Sequence, residues 1–572
     1  MLKKIVILKK FNQNLSLQEE AVGILAENAP DSSLALQYPT SFSLQELIGD
    51  IDLAKQKAAD LTMKLLKNEP YFRGVPQLSI FEEVIIRELQ QIFQLLHLAD
   101  FLVTHGFSLI EFCAPSPYAT GLSQLIKIAK MPLEVIAPQN NQSKFKRWLG
   151  RIKSSRFSYS IICNAIKEGI NFVDPLHRRS LWLNSFKQKK NIQKHQLWFY
   201  TTAVTYTNIG LHYEPFFPEP FHFLVENPMT GGKPLRALHR SFSFLYDFAS
   251  PKFIPQKEEI HTVAQAILAH VQSADLNQTE MIAREMLLNS NWMQTFFSKN
   301  LKRGLFFSAL FDKWCQAVCP RALIVGNPVW EGYALHIARR KGVPTLLLQH
   351  GILGDFYQYS DYPVDHLIVR GEFWQKFLAP SIAKRSVILN PISGIKKTTK
   401  NVKKSYIVFC TFYFIDPDIL KTVLEAVAKS KSTLVIRVHP LERIVDYQNI
   451  VNQLSAKLSS PFEVQYSQGP GLDRLLEQAS GVILSSSTLF LDCLHYQIPV
   501  ISFDWYHFAY KKQIETYGVF YFAKSLSNLS HLIQQAARGE LAAYKGSTQL
   551  FAAETPKLEI KNILAKLVTK TD

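Results

Sequence analysis

Two histidines stand directly after short apolar runs. Gln349-His350-Gly351 follows Thr345–Leu348, and Arg437-Val438-His439-Pro440 closes the run beginning at Leu434. An imidazole there can bind or protonate a phosphate oxygen, or shuttle a proton near neutral pH. Gly351 and Gly354 would let the turn after His350 approach a ligand closely, and Pro440 fixes the exit of the chain after His439. A third constellation, Ser485-Ser486-Ser487-Thr488, lies between the run GVIL and the helix-like LFLDCLHY. Hydroxyls and unpaired helix N–H groups would converge there in the form of a phosphate cradle, with one hydroxyl needed to cap the helix. Asp492, one turn further on, could accept from a ribose hydroxyl or simply face solvent. Glu331 follows the run Ala322–Val325, where a carboxylate could deprotonate an acceptor hydroxyl; Asp355 is a second candidate.

These residues need strands to carry them. Apolar runs at Tyr406–Cys410, Leu434–Val438, Val482–Leu484 and Pro499–Phe503 alternate with helix-like stretches at Pro417–Ala428, Leu472–Ala479 and Leu489–Tyr496. Such alternation predicts a parallel sheet covered on both faces. The stretch RALIVGNPVWEGYALHIARRKGVPTLLLQHG predicts a complete strand–helix–strand unit: Ala322–Val325, Glu331–Arg340, Thr345–Leu348. In open sheets of this kind ligands gather at the carboxyl ends of strands, where several of these candidates fall. The basic stretch 393–404, rich in lysine, marks a boundary between a domain over 1–395 and one over 405–572. Before residue 300 the pattern is less regular: strands are predicted at Ile5–Leu8, Leu109–Cys113, Leu133–Ile136, Leu197–Val204 and Phe221–Val225, with helices over 50–100 and 251–300.

A chain of 572 residues exceeds one hydrophobic core. Its 47% hydrophobic and 19% charged content describes a folded chain rather than a disordered one. The net charge of +17 favours anionic partners. Between Lys144 and Lys194, thirteen Lys or Arg oppose Glu168 and Asp174, with Phe145, Trp148, Trp182 and Phe186 interleaved. That patch suits anionic lipid headgroups, a phosphorylated acceptor or plain solvent; no nucleic-acid reading module accompanies it. The N-terminal run MLKKIVILKK reads as a strand rather than a signal peptide, and no apolar span is long enough for a bilayer. Six scattered cysteines suit a reducing, cytoplasmic setting. Neither GxGxxG nor a P-loop is present, and Cys315 and Cys319 have no partner pair to make a metal site.

Over about 320–530 the chain resembles bacterial surface-polysaccharide glycosyltransferases of the two-Rossmann (GT-B) kind: CMP-Kdo capsule transferases, bacterial sialyl- and polysialyltransferases, and CDP-glycerol glycerophosphotransferases. The shared marks are the Gln-His-Gly, the His-Pro, and the serine-rich loop before a helix followed by Pro-Val. The resemblance implies an α/β fold of two Rossmann-like domains facing a central cleft, with an elaborated N-terminal region. It implies a nucleotide-sugar donor, CMP-sugar favoured, as substrate and no cofactor or metal. His439 with Pro440 would touch the donor phosphate, which Ser485, Ser486, Ser487 and Thr488 would hold; Gly351 and Asp492 would also line the donor. The acceptor side would supply the carboxylate, mapped to Glu331 ahead of His350 and Asp355. A saccharide or lipid-linked saccharide acceptor, peripheral contact with the cytoplasmic face of an anionic inner membrane, and no nucleic acid complete the implied partners. The helix after the serines often carries glutamate and then glycine in such enzymes; Asp492 and Gln497 take those places here. A same-fold sugar-nucleotide epimerase or hydrolase, and a non-catalytic glycan- or nucleotide-binding scaffold, remain as alternatives.

Overall fold

The computed structural model describes residues 4–8, 21–24, 41–42, 47, 49–73, 75–112, 117–136, 196–202, 204–226, 235, 242–326, 328–349, 363–390, 406–411, 417–439, 442–455, 463–469, 471–485, 487, 489–503, 514–523, 525–547, 550–553 and 555–569. The basic patch Lys144–Lys194 and the boundary stretch 393–404 therefore lie outside the described residues.

The described strands form three parallel sheets and one short hairpin. In chain order they are β1 (Lys4–Leu8), β2 (Ala21–Ile24), β3 (Ser41–Phe42), the hairpin β4 (Tyr71–Phe72) and β5 (Val75–Pro76), β6 (Leu109–Phe112) and β7 (Glu134–Ile136). Then come β8 (Leu197–Thr201), β9 (His222–Val225), β10 (Phe242–Phe244), β11 (Ala322–Val325), β12 (Thr345–Leu348), β13 (His366–Val369) and β14 (Ser386–Ile388). The last group is β15 (Tyr406–Cys410), β16 (Thr433–Arg437), β17 (Val464–Ser467), β18 (Ala479–Leu484), β19 (Val500–Ser502) and β20 (Tyr521–Phe522). The sheet orders are β3-β2-β1-β6-β7, β10-β9-β8-β11-β12-β13-β14 and β17-β16-β15-β18-β19-β20. The α/β class with parallel sheets is thus as expected. The elaboration of the N-terminal region is more than helical insertion, because residues 4–136 build a parallel sheet of their own.

Parallel strands buried on both faces read as continuous apolar runs, and β8, β11, β12 and β18 are buried at every position. Alternate side chains enter different cores. From the second sheet, Trp198, Tyr200, Leu323, Val325 and Leu347 pack toward the helices Leu301–Val318 and Pro328–Arg340. Leu197, Phe199, Ile324, Leu346 and Ile368 face the other way and meet Ile560, Leu564 and Val568 of the last described helix, Lys557–Val568. The chain therefore returns from the third sheet to cover the second. Each of those three aliphatic side chains contributes about 1.5–3 kcal/mol by burial.

The return path is pinned by backbone and aromatic contacts. Ala553 N donates to Arg370 O at 2.7 Å, and Trp374 Nε1 donates to Phe551 O at 2.8 Å. Phe373 meets Tyr517 edge to face and lies tilted against Phe551, and Phe490 lies against Trp374 and Phe551. Gly371 is where this segment crosses: a Cβ there would lie 2.5 Å from Leu550 O and 2.6 Å from Phe551 C. Only glycine admits so close a backbone.

Candidate functional site at the strand ends

Parallel pairing of β15 with β16 and β18, and of β16 with β17, sets the carboxyl ends of four strands side by side. Thr411, His439, Gln468 and Ser485 follow those ends. His439 N donates to Thr411 Oγ1 at 2.8 Å, and its carbonyl accepts from Glu442 N and Gln468 Nε2, both at 2.9 Å. Gln468 Nε2 also donates to Glu442 O at 2.9 Å. Glu442 takes the Thr411 hydroxyl on one carboxylate oxygen and the Tyr447 hydroxyl, at 2.7 Å, on the other. His439 is thus fixed at its backbone on both sides. Burial lowers its pKa, and the nearby Glu442 charge opposes that fall. The imidazole is therefore neutral at pH 7.

The serine loop divides its work. Ser487 Oγ accepts from Leu489 N at 3.3 Å and so serves the start of the helix Leu489–His495. Ser485 is 6% exposed, and its hydroxyl is buried with no hydrogen-bond partner among the described residues. Ser502, at the end of the neighbouring β19, is also buried, its hydroxyl without a partner among the described residues. Buried hydroxyls are nearly always paired, and these two lie on adjacent strand ends. Ser486, Thr488 and Pro440 lie outside the described residues.

Asp492 is not the solvent-facing carboxylate that one expectation allowed. Burial, partly offset by Arg370 and reinforced by Asp473, raises its pKa to about 6. Arg370 belongs to the second sheet, at the end of β13, so Asp492 senses a cation across the junction between the two sheets. No ion pair closes on Arg370 among the described residues, and its Nε is buried without a partner. Gln497 adopts a left-handed backbone, φ 52°, directly after the same helix. The place where the resembling transferases are expected to carry glycine is here a helix-ending turn. A residue with a side chain there costs on the order of 1 kcal/mol of backbone strain.

On the second sheet, Gln349 is 1% exposed and works as a clamp. Its backbone N donates to Ile368 O and its Oε1 accepts from Arg370 N at 2.7 Å. The glutamine of the Gln-His-Gly stretch thereby positions the arginine on the next strand. Glu331 lies in the first turns of the helix Pro328–Arg340, at the carboxyl edge of β11, with its side chain outside the description. His350, Gly351 and Asp355 lie outside the described residues.

Sequence reasoning passed over Thr411, Glu442, Gln468, Ser502 and Arg370. Glu442 had a visible signal, a carboxylate three residues after His439. Arg370 had none, because β13 was not recognised as a strand. Cys315 is buried with its thiol pushed up to about 12, while Cys319 is exposed; neither has a disulfide partner.

A family of capsule polysaccharide biosynthesis proteins matches residues 410–510, the stretch from the end of β15 through the serine loop and β19. No curated protein matches the chain. Among solved structures, the chain is similar to the UDP-GlcNAc 2-epimerase of Methanocaldococcus jannaschii in complex with UDP-GlcNAc and UDP, at 10% identity over 65% of this chain and 99% of that one, with a TM-score of 0.40. It is similar to the lipopolysaccharide outer core galactosyltransferase WaaB at 11% identity, 65% and 96% coverage and a TM-score of 0.35. The Anabaena protein HepE in complex with UDP-glucose gives 11%, 65%, 98% and 0.39. These likenesses are distant, and the fold stands on the chain's own sheets. Among the described residues no helix is long and apolar enough to cross a membrane.

Proposed function

We propose that the protein is a glycosyltransferase of surface-polysaccharide or glycolipid assembly, holding a nucleotide-sugar donor at the carboxyl edge of its third sheet. One observation carries this: the match to capsule polysaccharide biosynthesis falls on the segment that brings His439, Glu442 and the orphan hydroxyls of Ser485 and Ser502 to one edge. Both hydroxyls can donate to phosphate oxygens, which are acceptors only. A neutral His439 gains a proton more readily as an anionic phosphate approaches. It can then donate to the leaving phosphate.

In the reaction, an acceptor hydroxyl attacks the anomeric carbon, and the bond from that carbon to the donor phosphate oxygen breaks. The electron pair leaves with the nucleotide, whose charge His439 and the serine hydroxyls neutralise. The hydroxyl proton passes to a carboxylate of the second sheet, assigned to Glu331. A CMP-sugar is the favoured donor, and a lipid-linked saccharide the favoured acceptor. Contact of the Lys144–Lys194 patch with an anionic membrane surface, on its cytoplasmic face, belongs to the same proposal.

Thermal stabilisation by CMP, CDP, UDP and GDP tests the donor edge. At a hundredfold excess over Kd a binding nucleotide stabilises by about 2.7 kcal/mol. CMP should stabilise most, and His439→Ala and Ser485→Ala should each weaken the effect. A folded protein indifferent to all four nucleotides would exclude the proposal.

A further inference from the structure

The carboxyl edge of the second sheet carries a polar cluster that the donor edge does not use. Tyr200 is the penultimate residue of β8, Glu226 follows β9 directly, and Arg303 lies in the first turn of the helix Leu301–Val318. Asn300 ends a π-helical turn, Phe296–Asn300, that leads into this helix. Such turns are rare and recur at functional sites.

Glu226 is held at both carboxylate oxygens. Arg303 Nη2 donates to Oε1 at 2.9 Å, the Tyr200 hydroxyl donates to Oε2 at 3.0 Å, and Glu226 N donates to Thr201 O at 3.0 Å. The Arg303 guanidinium lies 5.1 Å from the centre of the Phe307 ring. Phe81, Phe311 and Tyr333 complete the walls, leaving a partly open space of about 10 Å³. That is room for one water or one hydroxyl group, not for a ring.

A strut that merely fastened a helix to a strand would need no such space. Withdrawing this ion pair from water, with side chains 22% and 14% exposed, carries a desolvation cost. A carboxylate offers about four acceptor positions, and among the described residues side chains take two, so Glu226 can accept another hydroxyl without releasing Arg303 or Tyr200. Tyr333 also belongs to the helix Pro328–Arg340.

We propose that this pocket reads a hydroxyl of the acceptor saccharide: Glu226 accepts from it, Tyr200 and Arg303 hold Glu226 in place, and the sugar ring stays at the mouth. The ligand class rests on the transferase reading above, while the pocket itself does not.

Saturation-transfer NMR on the full chain decides it, with methyl β-D-glucopyranoside, methyl β-D-galactopyranoside and N-acetylglucosamine as probes, with and without CMP. At least one probe should give transfer, and Glu226→Gln and Tyr200→Phe should each weaken it about tenfold, the loss expected for a hydrogen bond to a charged group or for its misplacement. Tyr200→Phe removes a single oxygen and decides alone if Glu226→Gln does not fold. No transfer from any probe, or transfer undiminished in a folded variant, overturns the inference. Sugar signals that depend on Glu226 in a protein no nucleotide stabilises would uphold the pocket and remove the transferase reading.

Discussion

Asp492→Asn should make the protein more stable at neutral pH. The carboxyl titrates at about 6 in the folded chain against 3.8 when unperturbed, with burial the main cause and the attraction of Arg370 already included. For an acid whose pKa is raised by folding, the folded state binds more protons between those two values, so stability falls as pH rises through that window. The cost is complete above about pH 6 and absent below about pH 4. A shift of this size corresponds to about 3 kcal/mol, which the side chain's remaining solvent contact trims to about 1–3 kcal/mol. Asparagine keeps the shape without the charge. Urea melts of both proteins should show the variant ahead at pH 7.5 and the two curves converging toward pH 4.5. A variant no more stable at pH 7.5, or a gap that widens on acidification, would refute the reasoning.

Gly371→Ala should destabilise the return segment by about 1–3 kcal/mol, because its new methyl meets the Leu550–Phe551 backbone rather than a mobile side chain. Faster hydrogen exchange at the Ala553 amide, now bonded to Arg370 O, is the readout, and unchanged protection would count against it. Gln349→Ala should cost about 1–3 kcal/mol by leaving Arg370 N without its acceptor; a melting transition identical to the parent's would show that the clamp contributes nothing.

Much of the fold was legible where burial on both faces makes a strand an unbroken apolar run. ALIV, TLLL, YIVFC and GVIL were found in place, each within a few residues. The short strands Val464–Ser467 and Phe242–Phe244 were missed because they lie at sheet edges, where side chains are half exposed and the apolar signal thins. The first sheet, over 4–136, was legible only in β1, β6 and β7, because β2 and β3 are just four and two residues long.

By itself the sequence determined that polar residues follow buried strands, because a run such as LVIR must end where its hydrophobic pattern ends. His439 and Ser485 were therefore visible as strand-end residues. Their division of labour was not. Ser487 rather than Ser485 meets the helix start, Gln349 holds Arg370, and Glu442 binds Thr411 and Tyr447, because parallel pairing and chain return bring together groups far apart along the chain. Periodicity reports which face a residue takes; only the packed chain decides which polar groups find partners and which, like Ser485 and Ser502, are left without one.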